Sequence, residues 1–111
     1  MGTEENDSTK VGREFVARAR AWVEANPDGW HRFRMACAAC QRRYGRVSRD
    51  LVFTILADQR QDVSDRPGVC RAHDLYSALV RWAVAADPGL NARLVPCSIE
   101  EAYPDGMPAL A

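Results

Sequence analysis

Between Thr9 and Asn26, apolar side chains recur at three- and four-residue steps, at Val11, Phe15, Val16, Ala19, Trp22 and Val23. That is the period of a helix with one buried face. The pattern predicts a first helix capped by Asp7, Ser8 or Thr9, with Glu14 and Arg18 paired at i, i+4 and an Asn26-Pro27-Asp28-Gly29 turn at its end. Trp30 to Met35 alternates bulky apolar with basic residues and reads as a short extended lead. Tyr44, Val47, Leu51, Val52, Ile55 and Leu56 mark a second helical stripe running to about Gln59, with Gly45 a mild local penalty. Asp62 to Gly68 reads as a loop. A third helix is expected to begin at Cys70, with Leu75, Tyr76, Leu79, Val80, Trp82, Ala83 and Ala86 as its stripe and Asp87-Pro88-Gly89 as its stop. Leu90 to Val95 reads as one further helical turn, and the chain from Ser98 as extended.

These elements predict an all-α domain of three to four helices over residues 9–97, with residues 1–8 disordered and 98–111 a tail. A small α+β zinc fold is the alternative architecture. A chain of 111 residues fits one domain, and a domain this small buries only about two-thirds of the surface its unfolded chain exposes. With 47 % apolar residues the core is real, and a bound metal would add to a marginal stability. No apolar run approaches the roughly 20 residues of a membrane span, and Met1 to Lys10 is polar and acidic rather than signal-like. A cytoplasmic protein with no membrane partner is expected.

In a reducing compartment, four cysteines with two spaced Cys-x2-Cys point to metal binding before a disulfide framework. Cys37 and Cys40 enclose two alanines, a spacing that aims both sulfurs at one ion from a tight turn or helix start. Cys70 and His73 repeat the spacing at the start of a helix, where i and i+3 share a face. Three thiolates and an imidazole make a closed tetrahedral set typical of structural Zn²⁺, with no open position for substrate. Its charge of about −1 would be offset by Arg34, Arg42 and Arg71. Cys97 leaves an alternative open, with four cysteines holding zinc or an iron-sulfur cluster.

The run Cys37-Ala38-Ala39-Cys40, a Tyr-containing helix and Pro67-Gly68-Val69-Cys70-Arg71-Ala72-His73 before an apolar helix resembles an uncharacterised bacterial group of helical Cys-x2-Cys…Gly-x-Cys-x2-His domains. The resemblance covers Cys37 to Ala86 and implies a helical zinc-binding module without an established activity. The second pair also resembles a treble-clef finger, but the helical stripe at residues 44–56 stands where that fold has a β-hairpin.

Catalytic readings find little footing. Cys70, His73 and Asp74 cannot form a triad, because neighbours on a helix diverge by about 100°. The His-x-Glu of zinc deaminases is missing. Arg32, Arg34, Arg42, Arg43, Arg46 and Arg49 form a basic stretch interrupted first by Asp50, and on one continuous helix Arg42, Arg46, Arg49 and Phe53 would share a face suited to a protein partner. The formal net charge of zero makes no general case for nucleic acid. The expected function is a non-catalytic zinc-binding interaction or regulatory protein; a nucleic-acid-binding zinc module and a cysteine-based redox sensor are the rivals.

Overall fold

The computed structural model describes residues 7–58 and 75–110. Within them the chain is all-α: α1 (Asp7–Ala25), α2 (Pro27–Tyr44), α3 (Arg49–Asp58), α4 (Tyr76–Ala86) and α5 (Ser98–Ala102). An isolated parallel bridge between Val47 and Ala92 is the sole β pairing among the described residues. The α+β alternative therefore finds no sheet there.

α1 buries Gly12, Val16, Ala19, Trp22 and Val23. The stripe is the one the sequence predicts, except that Gly12 replaces Val11, which is 54 % exposed. The expected turn at Asn26-Pro27-Asp28-Gly29 is instead a one-residue joint. Asn26 donates its backbone N–H to Trp22 and accepts the first bond of the next helix from Trp30. Pro27 takes the first helical position, where its fixed φ is favourable and its missing N–H costs nothing. Residues 30–35 are accordingly helical, not extended, and α2 turns Phe33, Ala36, Cys37 and Cys40 inward.

Gly45 adopts φ 73° and donates its N–H to the Gln41 carbonyl, ending α2. This left-handed cap splits the expected second helix in two. Ser48 then starts α3, its hydroxyl accepting the Leu51 N–H at 3.3 Å. α3 packs on α2, and Phe33, Phe53 and Tyr76 join α2, α3 and α4 with ring centroids 5.9–6.2 Å apart.

The middle of α4 is buried on all sides: Ala78, Leu79, Val80, Arg81, Trp82 and Ala83 are consecutive buried residues. It ends at Asp87 as the sequence predicts. Leu90 to Val95 forms no helical turn; Leu90 fills the core and Ala92 pairs with Val47. The stretch from Ser98 is no extended tail either. α5 lies against α1, Ile99 is buried, and further on the Pro108 and Ala109 carbonyls accept bonds from Trp82 Nε1 and Arg20 Nη2, both at 2.8 Å.

Among the described residues one charge lies inside, that of Arg81. Arg81 grips the Glu100 carboxylate through Nε at 2.7 Å and Nη2 at 3.0 Å, and donates to the Ser77 and Val95 carbonyls at 2.7 and 3.0 Å. Glu100 also accepts the Cys97 N–H at 2.9 Å, fastening the start of α5. A buried guanidinium is tolerable only with such a complete set of acceptors.

Two outcomes follow. A Cβ at Gly12 would run into the Ser98 carbonyl, so Gly12→Ala, which in an open helix would gain up to about 1 kcal/mol, should instead lower stability by about 1–3 kcal/mol in urea unfolding. The hydrogen bonds from Arg81 hold the Glu100 carboxyl below its ordinary value of 4.5. Stability from this pair is therefore complete above that value and fades as pH falls through the lowered one. Glu100→Gln should flatten the acid limb of a stability-versus-pH curve and cost about 1 kcal/mol at neutral pH, a modest figure because the carboxylate is 42 % exposed.

Candidate metal centre

Cys37 and Cys40 lie inside α2, neither in a turn nor at a helix start as the spacing alone suggests. Ala36, Cys37 and Cys40 share the helix face that Phe33 anchors, and both cysteines are fully buried. The Cys40 thiol donates to the Arg46 carbonyl at 3.1 Å, so the turn after Gly45 folds back over it. Burial, and then the neighbouring Cys40 sulfur, push the Cys37 thiol up to about 12.

Tyr76, at the start of α4, stands beside this pair. Its hydroxyl is pushed above the ordinary phenol range by burial and by the Cys37 and Cys40 sulfurs, with Arg49 pulling the other way. The place where α2, α3 and α4 meet is thus a pair of sulfurs, a phenol and the field of a guanidinium. Tyr76 was not among the expected site residues and carried only the signal of an apolar stripe position, and Arg49 was expected on the partner-binding face rather than beside the sulfurs.

Cys70 and His73 lie outside the described residues, as does Arg71. Cys97 is different. It is exposed, next to Arg81 Nη2 at 3.9 Å on the α5 side of the molecule, and among the described residues no three His, Cys, Asp or Glu side chains come together. A set uniting Cys97 with Cys37 and Cys40 is not formed.

The predicted basic face also changes form. Arg42 belongs to α2, Arg46 to the turn after Gly45, and Arg49 and Phe53 to α3, so no single helical face carries them. Phe53 packs with Phe33 and Tyr76 in the aromatic cluster. Arg34 lies over the Trp30 ring at 5.9 Å and is exposed. Among the described residues no helix is long and apolar enough to cross a membrane.

The difference in burial should be directly readable. In the native protein, with each cysteine followed by mass mapping, the Cys97 thiol should react with an aromatic disulfide reagent as fast as a free thiol. Cys37 and Cys40 should react more slowly by orders of magnitude until denaturant is added. Equal rates at Cys37, Cys40 and Cys97 would contradict the packing described.

No family model, curated protein or solved structure matches the chain.

Proposed function

We propose that this protein is a non-catalytic interaction or regulatory module whose helices are stapled by one structural Zn²⁺, held by Cys37, Cys40, Cys70 and His73. The observation that carries the reading is the position of the first pair. Two sulfurs i and i+3 on one buried face of α2 adjoin the start of α4, into which Cys70 and His73 lead through a few residues of chain.

The donor chemistry fits zinc. Two thiols are soft ligands, and their thiolate forms, costly to bury alone, are stabilised by a cation of charge two. A third sulfur and an imidazole complete a tetrahedron in which no position remains for a substrate. Zinc there would clamp α2 to the chain entering α4. The competing reading, in which Cys37 and Cys40 are small core side chains, predicts a metal-free protein.

The redox-sensor alternative has less support. Sensor cysteines are accessible and ionise easily, whereas Cys37 and Cys40 are fully buried and Cys37 is hard to ionise. An iron-sulfur cluster would need Cys97, which lies apart.

Elemental analysis of the purified protein tests the proposal. About one zinc per chain is expected, lost in Cys37→Ser, Cys40→Ser, Cys70→Ser and His73→Ala and retained in Cys97→Ser. Chelation should lower the melting temperature and expose Cys37 and Cys40 to thiol reagents. A folded protein with no bound metal would leave the two cysteines as core residues and end the zinc reading.

A further inference from the structure

The zero net charge conceals a segregation. Residues 32–49 hold six arginines and no acid, Arg93 in residues 88–97 adds a seventh basic residue, and aspartates stand at the borders of these segments at positions 28, 50, 58 and 87. The fold draws these two segments together at the end of α2. Gly45 turns the chain, Val47 pairs with Ala92, and the Val47 N–H donates to the Asn91 carbonyl at 2.9 Å. Asn91 in turn donates its backbone N–H to Gln41 Oε1 at 2.7 Å and its side-chain amide to the Gly45 carbonyl at 3.2 Å. A hydrogen-bonded junction therefore fixes the backbone beneath Arg42, Arg43, Arg46 and Arg93.

All four of these arginines are exposed. Arg46 precedes one bridge residue and Arg93 follows the other, which puts them on paired segments whose backbones lie about 4.8 Å apart. Among the described residues none of the four meets a carboxylate. Between Arg43 and Arg46, Tyr44 closes α2 with half of its surface open, 50 % exposed. The core rings Phe33, Phe53 and Tyr76 pack together without it.

We propose that this surface binds single-stranded nucleic acid, with Arg42, Arg43, Arg46 and Arg93 on phosphates and the Tyr44 ring stacked on a base. Guanidiniums match phosphate oxygens two at a time, and base stacking on an exposed aromatic is a recurrent, sequence-tolerant contribution to single-strand binding. An acidic protein segment would satisfy the charges but would leave the ring without a planar partner. The inference names a partner for the interaction module proposed above and does not depend on the metal.

Anisotropy titrations of the full chain with a fluorescent mixed-sequence oligonucleotide of about 12 nucleotides, as RNA and as DNA, test it. Affinity should fall with salt at a log–log slope of roughly −2 to −3, the release expected for three or four neutralised phosphates on a single strand. Replacing Arg42, Arg46 and Arg93 together by alanine should weaken binding at least about tenfold. Tyr44→Ala should weaken it about five- to tenfold, with Tyr44→Phe restoring it. Polyglutamate of matched charge should compete poorly.

Absent or salt-independent binding, or unchanged binding by the triple variant, would overturn the proposal. Equal competition by polyglutamate together with an indifferent Tyr44→Ala would also overturn it, in favour of an acidic protein partner. Zinc content and helical circular dichroism read on the same samples distinguish failure of this surface from failure of the metal centre.

Discussion

A helix whose middle has no solvent face obliges everything around it. α4 buries six residues in succession, more than one neighbour could cover. α1 packs against it, Phe33 and Phe53 close on its first turn through Tyr76, and the chain around Pro108 reaches Trp82. The cost of this arrangement is concentrated in Arg81, whose charge must be met wherever it ends up. Glu100 and the Ser77 and Val95 carbonyls meet it, and in doing so they tie α5 and the strand-like stretch before it to the central helix.

Helical periodicity made the all-α class and the inner stripes of α1, α3 and α4 legible, because a 3.6-residue repeat of apolar positions has few other uses. The joints were less legible. Pro27 and Gly45 are both read as interruptions of local order, yet one begins a helix and the other ends one; the difference lies in which side of the residue carries helical backbone, and composition does not record that. α5 was hidden for another reason. Five residues are too short to show a period, and Ile99 declares itself as a core residue only through contact with distant α1. Arg81 gave no signal beside Val80 and Trp82 in the apolar stripe, because its acceptor lies nineteen residues away.

The candidate centre was legible in a similar, partial way. The Cys-x2-Cys spacing identified Cys37 and Cys40 as a pair, and spacing holds equally well on a turn or on a helix interior. What spacing could not convey is that the pair would be deep in the aromatic junction beside Tyr76, in a setting that suppresses thiol ionisation. That setting keeps both sulfurs out of reach of reagents in solution, since reactive sulfurs need access. The arginines show the converse. They were grouped by a helix that Gly45 breaks, and they are regrouped with Arg93 by a bridge between segments far apart in the chain.

The packing of α5 on α1 also has a temporal side. Ser8 donates to Glu101 across 93 positions of sequence, and the groove at Gly12 is filled by Ser98 and Ala102. During synthesis at about 5–20 residues per second, α1 must therefore wait on the order of 5–20 s before its cover has even been polymerised. Through that interval the part of its stripe around Gly12 is open to whatever binds nascent chains, whereas Trp22 already lies against Gly29 of α2. Completion of this small domain is thus governed by the arrival of a five-residue helix.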